Sequence, residues 1–117
     1  MGLLFESATG QIPPNEMAAY TKVLRGLLNA SGWESCHILV HIHRGFGFGE
    51  AGVQACLSSG ATGVWAGVSN DGAVNGHAGY CATLTNLVQI GNTRITEKTR
   101  LADLSAAAKK VFFFFQK

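Results

Sequence analysis

Short runs of apolar residues alternate along the chain with longer stretches in which apolar residues recur every three or four positions. Unbroken apolar runs bounded by turn residues are typical of buried strands, and the spacing of three or four is typical of amphipathic helices. Strands are predicted over residues 3–5, 36–43, 63–68 and 93–96, and helices over residues 13–28, 50–59, 80–90 and 101–115. Each predicted strand is therefore followed by a helix.

This repeated order predicts the fold class. Consecutive βα units imply a parallel sheet with helices packed on it. The chain has 117 residues, the length of one ordinary domain, and no linker-like break divides it. We expect an α/β fold of four βα units in a single domain that spans residues 1–117.

Composition and charge exclude several classes of protein. Hydrophobic residues make up 47% of the chain and charged residues 14%, which excludes a disordered acidic or basic tail. A net charge of +2 with a pI near 8.6 is too weak for a nucleic-acid partner, which needs clustered Lys and Arg. No apolar stretch reaches the roughly 18 residues of a membrane span, so no membrane partner is predicted.

The three cysteines, Cys36, Cys56 and Cys81, follow neither a disulfide pattern nor a metal-binding pattern. Their odd number and the lack of C-x-x-C spacing argue against a disulfide framework and against a zinc ribbon. We therefore expect buried, reduced thiols in a cytoplasmic protein, since disulfides persist mainly in oxidising compartments. Residues 1–6 lack the basic region and apolar run of a secretory signal, which agrees with that location.

The histidines of the second predicted strand carry the clearest chemical signal. His41 and His43 are two residues apart, and side chains two apart on a strand point to the same face. Leu39 shares this face, whereas the other face is aliphatic throughout and is expected to pack under helices. Open α/β sheets bind ligands at the C-terminal ends of their strands, so the two imidazoles can converge on a divalent metal ion. A hydrogen-bonded histidine pair without a metal is the alternative.

A glycine-rich segment after the same strand suggests a different ligand. Gly47, Gly49 and Gly52 fit the G-x-G-x-x-G pattern of dinucleotide-binding turns, and Asp71 lies near the expected distance of a ribose-binding acid. The bulky Phe48 between the glycines disagrees with a pyrophosphate site. The alternative is that the glycines only allow a strand and a helix to pack closely.

Several segments together resemble one enzyme family. They are the His41 and His43 pair with the glycine-rich turn after it, the sequence SGATGVWAGV at residues 59–68, Gly72, Gly76-His77-Ala78 and Asn86-Leu87-Val88. This pattern is similar to the C-terminal half of the metal-dependent lyase and acyltransferase TIM barrels. That family includes hydroxymethylglutaryl-CoA lyase, the isopropylmalate and homocitrate synthases and the biotin-dependent carboxyltransferases. The resemblance covers roughly residues 3–111 and implies half of an eight-unit barrel.

The resemblance also implies a cofactor and a reaction. It implies a divalent metal ion held by His41 and His43, with His77 at the place of an asparagine that completes the family's metal shell. The family's metal polarises a carbonyl or enolate during C–C bond cleavage or formation, so a small carbonyl or acyl substrate is expected. The family's first strand carries a catalytic Asp-Arg-Glu that is absent from this sequence, and Arg44 and Glu6 are the candidate catalytic replacements.

Two functions therefore stay open. The first is a half-barrel, or a fragment of such an enzyme, that keeps part of a metal site and is inactive alone. The alternative is a binding module with an open α/β sheet that takes a small ligand, a metal or a dinucleotide.

A homodimer is the expected assembly. An open sheet leaves an apolar face, here expected to carry Leu39 and either Val64 or Trp65, that tends to pair with another chain. The run of four phenylalanines at positions 112–115 cannot turn every ring toward one core and adds to this apolar surface. Two copies are expected to close a pseudo-barrel, and an open sheet covered by the last helix is the alternative.

Overall fold

Three strands and five helices lie within residues 1–68 and 76–115, which are the residues that the computed structural model describes. Asp71, Gly72 and the side chains of residues 112–115, all used in the predictions above, lie outside the described part. In chain order the elements are β1 (Gly2–Ser7), α1 (Pro14–Ala30), β2 (His37–Ile42), α2 (Gly49–Leu57), β3 (Gly63–Val64), α3 (Tyr80–Gln89), α4 (Arg94–Lys98) and α5 (Leu101–Phe115). The predicted α/β class is confirmed.

The strands form one open parallel sheet in the order β1-β2-β3. A helix connects each strand to the next, and a crossover of this kind lets consecutive strands run parallel. In the register, Glu6 lies opposite His41 and Leu39 lies opposite Gly63. The third strand is shorter than predicted, although Trp65 still donates its N–H to the Val40 carbonyl oxygen at 2.8 Å.

The prediction of a fourth strand is wrong. Residues 94–96 lie in the short helix α4 and Thr93 directly precedes it. Thr96 donates its N–H (3.1 Å) and its hydroxyl (2.7 Å) to the carbonyl oxygen of Thr93. β-branched residues favour strands mainly where neighbouring strands pack against them, and this segment follows a tight turn at Gly91, whose φ is 102°. The described chain therefore contains three strands instead of the four that four βα units require.

One face of the sheet packs against α1 and α2. Ile38, Val40 and Ile42 are at most 1% exposed, and they form one buried cluster with Met17 of α1 and Val53 of α2. Burying each such side chain stabilises the fold by about 1.5–3 kcal/mol. The prediction that the aliphatic face of β2 packs under helices is confirmed.

The opposite face of the sheet is open over much of its area. Leu4, Leu39 and Trp65 are 47%, 37% and 60% exposed. Side chains alternate between the two faces of a strand, so Leu4 and Leu39 lie on the face that points away from the buried cluster. This open face also carries the histidines of β2.

Two glycines bring α2 close to the end of β2. A Cβ atom on Gly52 would lie 3.1 Å from Cδ1 of Ile42, and one on Gly49 would lie 2.6 Å from Cγ of Arg44. Close packing of α2 on β2 accounts for Gly52, whereas Gly49 lies against the Arg44 side chain and the Ala78 backbone. These contacts give no support to a pyrophosphate cradle, because Gly49 is buried against protein atoms.

Cys36 and Cys56 are buried, as predicted, whereas Cys81 is half-buried, and all three thiols are free. Burial raises the pKa of the Cys56 thiol, which keeps this thiol protonated and unreactive at neutral pH. Within the described residues, no helix combines the length and the apolar character that crossing a bilayer requires.

Candidate metal centre

Three histidines converge at the C-terminal end of β2. His41 lies in the strand and His43 follows its last residue, so the two side chains point to the open face. His77 joins them because its segment pairs with the end of β2. Ala78 donates its N–H to the Ile42 carbonyl oxygen at 2.9 Å, and His43 and His77 form an antiparallel bridge. Residues opposite each other in such a bridge place their side chains on the same face.

The spacing of the three rings suits a single metal ion. The ring centres of His41 and His43 are 5.0 Å apart, and that of His77 lies 4.6 Å from the first and 4.4 Å from the second. One ring nitrogen from each residue lies within 4.8 Å of the other two. Ligand atoms of a tetrahedral ion with metal–nitrogen bonds of about 2.0–2.1 Å are about 3.3 Å apart. The three nitrogens would have to move closer together to reach that separation.

The hydrogen bond of His41 determines which of its nitrogens can bind a metal. Its Nδ1 lies 3.0 Å from the carbonyl oxygen of Trp65. A carbonyl only accepts, so in the neutral ring Nδ1 carries the proton and Nε2 keeps a free electron pair. A second ring nitrogen bonded to a backbone carbonyl is the usual support of a metal-binding histidine.

The surroundings of His77 favour its neutral, metal-binding form. Burial lowers the pKa of His77, and the neighbouring charges of His41 and His43 lower it further, whereas the carboxylate of Glu6 acts in the opposite direction. Metal ions bind the neutral imidazole. His77 is therefore ready to act as a ligand at neutral pH.

His43 connects the cluster to a carboxylate on the neighbouring strand. Its Nε2 lies 3.5 Å from Oε1 of Glu6, which the register of β1 places beside the cluster. The other ring nitrogen, Nδ1, is buried and has no hydrogen-bond partner within the described residues. Leaving a buried polar atom unpaired costs about 1–3 kcal/mol, so Nδ1 of His43 is an unfavourable contact, whereas Nε2 faces the Glu6 carboxylate.

Arg44, the other candidate catalytic residue, contacts a different group. Its Nε lies 3.3 Å from Oε2 of Glu50 at the start of α2, and its Cγ lies close to Gly49. These side-chain contacts are therefore with α2, and a catalytic role for Arg44 stays a prediction. Glu6 lies at the cluster, as its candidacy requires, and its catalytic role is likewise still a prediction.

An apolar groove lies beside the cluster, at the β3 edge of the sheet. Its volume is about 400 Å³, and its lining residues are Leu39, Val64, Trp65, Ala66, Val68 and Tyr80. The Trp65 ring links the groove to the cluster, because its centre is 5.8 Å from that of His41. A ligand bound by the histidines could therefore place an apolar group in this groove.

Sequence analysis missed Glu50, which holds the segment that carries His77. The sequence places Glu50 only at the start of the predicted helix over residues 50–59, yet its Oε1 accepts the N–H of Gly79 at 3.1 Å. An acidic residue in the first turn of a helix usually indicates only a favourable interaction with the helix dipole. The position of Glu50 in the sequence therefore does not distinguish this common role from its contact with Gly79.

Two comparisons with known proteins found no relative of this chain. No protein-family model matches the chain, and a search of curated proteins finds no match. The similarity to the metal-dependent barrels therefore depends on the motifs quoted above, and the geometry of the three histidines carries the functional argument.

Proposed function

We propose that the protein binds one divalent transition-metal ion through His41, His43 and His77 and presents it to the carbonyl oxygen of a small carbonyl or acyl ligand. The observation that carries this proposal is the convergence of three imidazoles, with one nitrogen from each within 4.8 Å of the others. Imidazole is a favoured ligand of zinc, copper, iron and nickel. The alternative of a hydrogen-bonded histidine pair accounts less well for a third ring at the same point.

The ligand class rests on the groove and on the family resemblance. A metal ion acts as a Lewis acid on a carbonyl oxygen, and the apolar groove beside Trp65 suits the hydrocarbon part of the same molecule. The resemblance to half of a lyase or acyltransferase barrel supports a keto-acid or acyl ligand. Since the sequence lacks the family's Asp-Arg-Glu, we propose binding without turnover by this polypeptide alone.

A titration with a matched control tests metal binding. The purified protein, stripped with chelator, is titrated with Zn²⁺ or Co²⁺ by calorimetry. The wild type is expected to bind one ion, and the double change His41→Ala with His43→Ala is expected to abolish binding. His37→Ala is the control, because His37 lies on the same strand but its Nδ1 is 3.1 Å from Thr62 Oγ1, outside the cluster. Binding that survives the double change, or that is lost in the control, contradicts the proposal.

The groove supports a second candidate, which is the binding of a small apolar ligand without metal. The two candidates differ in one measurement. A carbonyl ligand of the metal is released when chelator removes the ion, whereas a ligand held by Leu39 and Trp65 alone stays bound. Titration of a small 2-keto acid in the presence and absence of chelator distinguishes them.

A further inference from the structure

A carboxylate on a different strand lies next to the histidine cluster. Glu6 lies on β1 opposite His41 in the parallel register, and its Oε1 is 3.5 Å from Nε2 of His43. Directly opposed residues of paired strands place their side chains on the same face. The register therefore brings an oxygen donor to the edge of a group of three nitrogen donors.

Building on the metal site proposed above, we infer that Glu6 is its fourth protein ligand, so that the ion is held by three imidazoles and one carboxylate.

The distance between Glu6 and His43 agrees with two ligands of one ion. Zinc–nitrogen and zinc–carboxylate bonds are about 2.0–2.2 Å long, so two such donors lie about 3.4 Å apart in a tetrahedral shell. The observed 3.5 Å is already close to that separation. In the absence of metal, neutral His43 with its proton on Nε2 can direct its N–H toward the Glu6 carboxylate across the same contact. A metal ion between the two groups would take the place of that proton.

Charge supports the same assignment. Three neutral imidazoles leave the full charge of a divalent ion uncompensated in a half-buried site, and a single carboxylate reduces it by one. Glu6 is 45% exposed, whereas His43 is 14% exposed. The carboxylate thus lies at the solvent side of the cluster, where a flexible side chain can move onto an arriving ion.

A fourth protein ligand restricts which metals can also bind a carbonyl ligand. Four donors complete the tetrahedral shell of zinc, as in structural zinc sites. Metals that accept octahedral shells, such as Mn²⁺, keep positions for a carbonyl oxygen. If zinc is the resident ion, a ligand has to displace the Glu6 carboxylate to reach it.

Cobalt titration of Glu6→Gln tests the assignment, because the absorption spectrum of Co²⁺ reports the number and type of its ligands. The variant has nearly the shape of the native side chain but lacks the charge. It is expected to bind Co²⁺ at least about tenfold more weakly, since loss of even an outer partner of a metal ligand commonly costs about 10–100-fold in affinity. The spectrum of the bound ion is expected to change as water replaces the carboxylate. Glu34→Gln is the matched control, because it removes the same charge from an exposed loop position.

The outcomes separate this inference from the proposed function. Wild-type binding with an unchanged affinity in Glu6→Gln overturns the inference and leaves the histidine site intact. A weaker affinity with an unchanged spectrum also overturns it, because Glu6 would then act only through His43. Failure of the wild type to bind any ion overturns the proposed function as well. Circular dichroism of each variant confirms that the fold is retained.

Discussion

Oε1 of Glu50 accepts the backbone N–H of Gly79 at 3.1 Å, which ties the first turn of α2 to a residue two positions after His77. Oε2 of the same carboxylate lies 3.3 Å from Nε of Arg44, the residue after His43. The Glu50 side chain is only 15% exposed, and hydrogen bonds to an ionised group are stronger than neutral ones. Glu50 therefore joins the two segments that carry His43 and His77.

Changes at Glu50 are expected to weaken metal binding, although Glu50 is not itself a proposed ligand of the ion. Glu50→Ala removes both contacts, and we expect a loss of about 10–100-fold in Zn²⁺ affinity, as for other residues that orient metal ligands. We also expect a loss of about 1.5–3 kcal/mol in the free energy of unfolding, measured with urea. Glu50→Gln keeps an acceptor for Gly79 and should lose less of both. An affinity equal to that of the wild type in Glu50→Ala would show that His77 needs no such support.

The sequence was sufficient to predict the central strand and its two faces. The alternation from residue 38 to residue 43 separated the buried side chains from His41 and His43, because strand geometry makes side chains alternate regardless of the rest of the fold. The segment around Thr93 was misassigned because β propensity depends on neighbours that a single sequence does not display.

The rest of the site depends on long-range pairing. The family resemblance pointed to His77, but only the bridge to His43 shows that the two rings meet. In the same way, the approach of Glu6 to His43 follows from the register of β1 and β2. Spacing along the chain specifies neither relationship, because the residues involved are more than thirty positions apart.

Metal is expected to stabilise the folded protein. An ion that binds only the native state at a free concentration of about 100 times its dissociation constant adds about 2.7 kcal/mol to the free energy of unfolding. Thermal unfolding monitored by circular dichroism should shift to higher temperature with Zn²⁺ and return with chelator. His37→Ala should show the same shift. The double change His41→Ala with His43→Ala should show none, and a shift that remains there would indicate binding elsewhere.

The stability of the metal-free protein should fall with acidification through His77. The folded state lowers the pKa of His77, chiefly by burial, whereas the unfolded chain has the ordinary value of about 6.5. As the pH falls below about 6.5, the unfolded state therefore binds the proton first, and the free energy of unfolding decreases. Urea midpoints measured with chelator from pH 7.5 to 5.5 should decrease less steeply in His77→Asn. Equal slopes in the two proteins would contradict this prediction.

Self-association through the open face of the sheet is the last prediction. Leu4, Leu39 and Trp65 are all more than a third exposed on or beside this face, and burying each would contribute about 1.5–3 kcal/mol. Association costs about 4–15 kcal/mol in lost freedom of motion, so several of these side chains have to be covered together. A symmetric pairing of two copies does this, because each of these side chains is then buried on both copies.

Light scattering coupled to gel filtration at micromolar concentration is expected to give the mass of two chains for the wild type. The double change Leu39→Ser with Trp65→Ser should give one chain. Leu27→Ser is the matched control, because Leu27 is 62% exposed on α1, away from the sheet face, and this variant should remain a dimer. A wild-type mass of one chain would mean that the open face is covered within the monomer or stays in contact with water. Dissociation of the control together with the double variant would place the contact on the helical side of the molecule instead.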